Sequence, residues 1–283
     1  MDNLDLGNRL NTVMRASIAA LFEQGELAEL TYGAFNIAAS AVREGDQSSL
    51  TVSFPVGYRS DRTTIQSQRQ YTKDELIQRY ELLAIRQLSI NEVIQFVTII
   101  EAMLGDVLRA VAMRYPNKLG GKRTVTVQSV LEATTLEEVM LRATDSLMNE
   151  LSYKSPTDFA ESFADIIGIN LLECPSYHRY VEIKASRDIF IHNRGVANAV
   201  YVRKAGSHAR AREGGGLHAD SQYLLESYEH CLQICEWLQQ QLHGKWHSSD
   251  YEQYQRSQFL LPLSEGEDKD ASSLDAVVPS GGT

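Results

Sequence analysis

The run Arg187-Asp-Ile-Phe-Ile-His192-Asn-Arg-Gly195 is the one cluster in this 283-residue chain whose residue types suggest chemistry. Arginine is permanently charged and its planar fork suits phosphate, whereas histidine titrates near neutral pH and can move a proton. Those are the two tasks that RNA cleavage requires. On a regular helix, residues five apart are separated by about 140°, so Arg187 and His192 share no face if the helix simply continues. Asn193 and Gly195 are helix stop signals, and unwinding at His192 frees the imidazole to turn toward the arginine or toward a facing subunit. Asp188 stands four residues before His192, the spacing at which helix side chains meet, and reads as the carboxylate that orients the ring. An Arg-x4-His pair alone is common by chance, so its context has to carry the assignment.

Part of that context is charge. The whole chain is acidic, with 27 basic and 37 acidic residues and a net charge of −10, which argues against a surface that grips duplex nucleic acid everywhere. Any nucleic-acid site must be local. Residues 179–212 hold eight Lys or Arg and two acids, a basic segment around the motif. Within it Lys184, Arg194, Arg203 and Lys204 are candidate phosphate contacts. Tyr177, Tyr180, Phe190 and Tyr201 are candidate stacking partners for unpaired bases, with Tyr201 taken as an RNA contact, although aromatics at these spacings more often fill a core. Cys231 and Cys235 stand four apart with His230 adjacent, but this is not a zinc spacing and both read as core residues. No metal or cofactor is expected. Three cysteines, no charged-then-apolar leader and no long apolar span lead to the expectation of a cytoplasmic, membrane-free protein.

The elements that must position the motif are helical. Helices are predicted over Leu10 to Leu30 and Ala34 to Val42, then a short strand or extended arm over Leu50 to Phe54 and a polar linker over Tyr58 to Gln70. Thr72-Lys-Asp-Glu75 and Ser89-Ile-Asn-Glu92 each set a hydroxyl three residues before a carboxylate, the reciprocal pattern of a helix start. Val93, Val97, Ile100, Leu104, Val107 and Val111 make one apolar stripe of a long core helix that ends at Arg114-Tyr-Pro116. Thr135-Leu-Glu-Glu138 opens another helix, burying Leu136, Met140, Ala143, Leu147 and Leu151, and Ser155-Pro156 opens a short one that stops at Gly168. Pro175-Ser176 opens Tyr177 to His192. A basic, glycine-rich loop over Arg203 to Gly216 then leads to a closing helix over Ala219 to Leu242. The division expected is an N-terminal extension over residues 1–70, an all-α bundle over 71–245 and a largely disordered tail over 246–283, acidic from Ser264.

Three segments in the bundle carry a family likeness: Phe96-Val-Thr-Ile-Ile-Glu-Ala-Met-Leu-Gly-Asp106, Tyr153-Lys-Ser-Pro156, and Val181-Glu-Ile-Lys-Ala-Ser-Arg-Asp-Ile-Phe-Ile-His-Asn-Arg-Gly-Val196. The stretch from Phe96 to Tyr201 resembles the HEPN family (higher eukaryotes and prokaryotes nucleotide-binding domains), in particular its bacterial, defence-associated members. Arg187, Asp188, His192 and Asn193 match the family's motif position for position. The resemblance implies an up-and-down bundle of four or five helices that forms a homodimer, with motifs from both subunits in one composite cleft. It implies a metal-independent endoribonuclease acting on single-stranded RNA, in anti-phage defence or as a toxin. His192 would take the proton of a ribose 2′-hydroxyl or protonate the leaving oxygen, and Arg187 would meet the charge on the phosphate. The products would be 2′,3′-cyclic phosphate and 5′-hydroxyl ends. Glu101, in the first shared segment, is expected to face Arg187 across the bundle. The alternative is a non-catalytic module that dimerises, binds RNA and restrains or delivers a regulatory protein partner held by residues 1–70 or by the tail.

Overall fold

The computed structural model describes residues 3–119 and 127–260, and these are mostly helical. Helix α1 (Asn3–Glu44) is followed by β1 (Ser49–Tyr58), β2 (Thr64–Thr72) and α2 (Lys73–Glu81). A π-helical stretch over Leu82–Leu88 joins α2 without a break to α3 (Ser89–Arg114). Then come α4 (Val127–Leu131), α5 (Leu136–Ser152), α6 (Pro156–Ile167), α7 (Tyr177–His192), α8 (Ala199–Ala205), α9 (Ser221–Lys245) and α10 (Ser249–Leu260).

The core forms on the stripe of α3, whose six predicted positions are all buried, from Val93 through Val111. Each such aliphatic side chain removed from water contributes about 1.5–3 kcal/mol, so α3 is the element around which the others gather. Leu6, Leu10, Met14 and Leu21 of α1, Leu147 and Leu151 of α5, Phe163 of α6, Tyr180 and Ile183 of α7 and Cys231, Ile234 and Leu238 of α9 join the same cluster. The local signals at α5 and α6 hold, and α7 starts at Tyr177 as expected but without a side-chain cap from Ser176. Thr135 and Ser155 accept the backbone N–H three residues on, and Gly168 ends α6 in the left-handed region at φ 75°.

Five features depart from expectation. First, α1 is one 42-residue helix where two were predicted. Gly33 costs about 1 kcal/mol in a helix interior, and packing on both sides of it, with Ala28 and Ala39 buried, outweighs that. Because α1 shares the core of α3, the helical part of residues 1–70 belongs to the bundle. Second, the arm and linker form an antiparallel hairpin in which Ser49 pairs with Thr72, with an irregularity between Pro55 and Gly57. Third, Ser89 and Glu92 do not open a helix, since the chain is already helical at Leu88. Both are buried: the Ser89 and Tyr32 hydroxyls lie 2.6 Å apart, and Gln24 Nε2 donates to Glu92 at 2.6 Å. Fourth, Leu136 is 78% exposed, because the cap turns the first residue of α5 outward. Fifth, part of the stretch expected as tail forms α10. Asn8 of α1 accepts hydrogen bonds there from the Ser248 hydroxyl at 2.9 Å and the Ser249 hydroxyl at 3.4 Å. The acidic tail from Ser264 lies outside the described residues.

Candidate active site

Helix α7 presents the motif because its two ends are fixed. Tyr177, Tyr180, Val181, Ile183, Ala185 and Ile189 are buried along it. At its far end Asn193 and Gly195 donate their backbone N–H to Ile189 O at 3.0 and 3.2 Å, and the chain turns through Arg194 at φ 52° and Gly195 at φ 78°. Arg194 bears a strain there that glycine would avoid. The Asn193 side-chain amide donates to Val196 O, so Asn193 shapes the turn rather than facing outward as a reagent.

Arg187 points back into the bundle, its side chain 17% exposed. Its Nη2 donates to Glu101 Oε2 of α3 at 2.5 Å, the meeting across the bundle that the sequence suggested. Lys184 Nζ lies 2.6 Å from the other Glu101 oxygen. Arg187 Nε lies 3.5 Å from Asp188 Oδ1, close enough for an ion pair but without hydrogen-bond geometry, so this buried N–H has no acceptor. Lys204 of α8 completes the row, with Nζ 3.4 Å from Asp188 Oδ2. Lys184, Glu101, Arg187, Asp188 and Lys204 thus form a ladder of three cations and two carboxylates along α7. Among the described residues Nε and Nη1 of Arg187 make no hydrogen bond, and Nε is buried.

His192 lies elsewhere. It is exposed at the last residue of α7 and makes no hydrogen bond or ion pair among the described residues. The orienting role expected of Asp188 is therefore not realised within one chain, because the Arg187 and Lys204 cations draw that carboxylate away from the imidazole. Ile191, Val196 and Val200 are exposed beside His192 in the sequence, at 47%, 43% and 46%. Arg194 shares a groove of about 400 Å³ with Arg79, Arg86, Phe190 and Leu217, and none of its three arginines has a carboxylate partner among the described residues. Arg203 is exposed on α8.

Tyr201 corrects the stacking assignment. It is 1% exposed, with its hydroxyl donating to Glu182 Oε1 at 2.9 Å and accepting the Arg210 backbone N–H at 2.9 Å. Glu182 is the residue that sequence reasoning missed. Its buried carboxylate also accepts from Ser186 Oγ at 2.6 Å, Tyr223 Oη at 3.0 Å and Arg210 Nε at 3.1 Å. The Arg210 guanidinium lies 3.3 Å over the Tyr223 ring. This network ties α8 and the loop after it to α7 and α9, and so holds Lys204 against Asp188. A lone acid between Val181 and Ile183 was the only local hint, and its main partners lie 19 to 41 residues away.

Two clusters could invite a metal. Burial pushes the Cys231 and Cys235 thiols up, Cys235 to about 12, which keeps them as thiols rather than thiolate ligands. His243, His247 and Glu252 bring candidate ligand atoms within 4.8 Å of one another. His243 Nδ1, however, accepts the Ser248 N–H at 3.2 Å, so ligation through Nδ1 would break that bond and ligation through Nε2 would require the ring proton to leave Nε2. No helix among the described residues is long and apolar enough to cross a membrane. Against known proteins, no family model, curated protein or solved structure matches the chain.

Proposed function

We propose that the chain is a metal-independent endoribonuclease of the HEPN kind, cutting single-stranded RNA to 2′,3′-cyclic phosphate and 5′-hydroxyl ends. The observation that carries this reading is the contrast within one helix. Arg187 is held by Glu101 with Nη1 unpaired among the described residues, while His192 stands exposed at the helix end with no partner among them. A fixed guanidinium is suited to charge that develops on an attacked phosphate, and an exposed imidazole to proton transfer. Since Asp188 does not reach His192, a second copy has to complete the site. Exposed Ile191, Val196 and Val200 supply apolar surface for such a homodimer, and the Arg79, Arg86 and Arg194 groove supplies a path for the RNA backbone. Three buried free cysteines fit a reducing cytoplasm. A role in defence or as a toxin, and a protein that restrains the enzyme, rest on the family resemblance.

A second reading has its own observation. Glu101 and Asp188 already surround the Arg187 guanidinium with negative charge, as they would in a purely structural ion pair. The same bundle would then be a non-catalytic module that dimerises, binds RNA and regulates a partner. Incubating purified protein with total RNA in EDTA, beside His192→Ala and Arg187→Ala, separates the two. The ribonuclease reading expects rapid decay with wild type and a loss of at least about 100-fold in each variant. Equal decay in all three samples would remove it.

A further inference from the structure

A cavity of about 260 Å³ opens beside the charge ladder, between α3, α5, α6 and α7, with Lys204 of α8 at its edge. Its walls are mostly apolar: Leu104, Met148, Leu151, Phe159, Tyr177 and Val181. Its charged groups are few, and each of its lysines already faces a carboxylate, Lys154 that of Glu150 at 3.6 Å, Lys184 that of Glu101 and Lys204 that of Asp188. Lys154, Lys184 and Lys204 line it with a single acid, Glu101, the partner of Arg187. Lys184 Nζ also sits 5.9 Å from the centre of the Phe159 ring.

Tyr180 lines this cavity while 3% exposed, and its hydroxyl has no hydrogen-bond partner among the described residues. A buried phenol left unsatisfied costs about 1–3 kcal/mol, and such a group is retained where something else supplies the partner. Burial, reinforced by the negative charge of Glu101, pushes its ionisation well above the usual tyrosine range, so it stays a neutral donor. Apolar walls, two buried tyrosine hydroxyls, that of Tyr177 donating to Pro156 O and that of Tyr180 unpaired among the described residues, and a set of lysines together describe the needs of a planar heterocycle carrying a phosphate.

We infer that this cavity receives an unpaired nucleobase of the bound RNA, with Tyr180 hydrogen-bonding an edge of the base and Lys154, Lys184 and Lys204 meeting the flanking phosphate. The inference rests on the RNA reading of the Arg187 site and deepens it, because a base held here lies next to the phosphate that Arg187 would meet. It makes α3 and α5–α7 a source of base preference at the cut.

The probes are the four nucleoside 5′-monophosphates, titrated against the full chain by heat of binding, and the cut-site base frequencies on a random-sequence RNA. Tyr180→Phe preserves the ring and its packing and deletes only the hydroxyl. Saturable binding of at least one monophosphate, about five- to tenfold weaker in Tyr180→Phe, with a flattened base preference at the cut, is the expected result. No saturation by any monophosphate up to about 10 mM, with identical cut sites in wild type and Tyr180→Phe, overturns the pocket while leaving RNA cleavage standing. Monophosphate binding that depends on Tyr180, in a protein that leaves RNA intact in EDTA, upholds the pocket as a nucleotide site and fails the ribonuclease reading instead. Met148→Trp, a cavity-filling change at a half-buried wall, gives the same test should Tyr180→Phe prove unstable, and monophosphate binding undiminished by it overturns the proposal.

Discussion

At the scale of single residues, Arg187 and Tyr201 show what spacing can and cannot tell. Arg187 belongs to a short motif at a helix end, and its partner Glu101 was expected from the first of the segments that carry the family likeness. Tyr201 was read from its basic neighbourhood as a candidate stacking residue. Its true role depends on Glu182 and Arg210, which are distant in sequence and adjacent only after folding. The difference is measurable. Tyr201→Phe keeps a ring that could still stack but leaves the Arg210 backbone N–H without its acceptor and Glu182 with one donor fewer. It should lower unfolding free energy by about 1–2 kcal/mol in urea titrations, with RNA affinity per folded molecule unchanged. Unaltered stability with weakened RNA binding would return Tyr201 to the RNA surface.

Among elements, helix starts and stops were readable where one local device decides them, as at Ser155-Pro156, Gly168 and Asn193. They were misread where a tertiary partner decides. Ser89-Ile-Asn-Glu92 has the outward form of a capping box, yet α1 brings Tyr32 and Gln24 against those side chains and the helix runs on through the π-helical turn. The second hairpin strand was invisible because one face of Thr64–Thr72 is wholly polar and the other carries only Ile65 and Tyr71 at its ends. Burial raises the Glu92 carboxyl above its usual 4.5, opposed in part by the hydrogen bond from Gln24. The folded state therefore holds that proton more tightly than the unfolded chain. The resulting stabilisation is complete below about pH 4.5 and is lost as pH rises through the folded value. Glu92→Gln still offers Gln24 an acceptor and cannot ionise, so thermal melts should find it at least as stable as wild type at neutral pH, with any advantage shrinking on acidification. A variant clearly less stable at neutral pH would show that the ionised form is needed. Where α1 meets the α9–α10 connection, a Cβ on Gly7 would stand 2.0 Å from the His247 carbonyl oxygen. Gly7→Ala ordinarily favours a helix by about 1 kcal/mol, but here it should cost about 1–3 kcal/mol because backbone must move. A raised melting temperature would contradict that packing.

For the molecule as a whole, one core joins α1, α3, α5, α6, α7 and α9, so the N-terminal helix is a wall of the bundle rather than a separate extension. The catalytic account needs a second copy, since His192 and Asp188 do not meet within one chain. Sedimentation equilibrium at micromolar concentration should give a mass near twice the chain's 31.7 kDa, and a monomer at concentrations that cleave RNA would contradict the composite site. The central claim is that His192 moves the proton by which a ribose 2′-hydroxyl attacks its own phosphate. It is tested most directly by identifying the ends of RNA fragments produced in EDTA by wild type and by His192→Ala. The account predicts 2′,3′-cyclic phosphate and 5′-hydroxyl ends from wild type and none above background from the variant. Fragments with 5′-phosphate ends, or cyclic ends formed equally by both proteins, would contradict it.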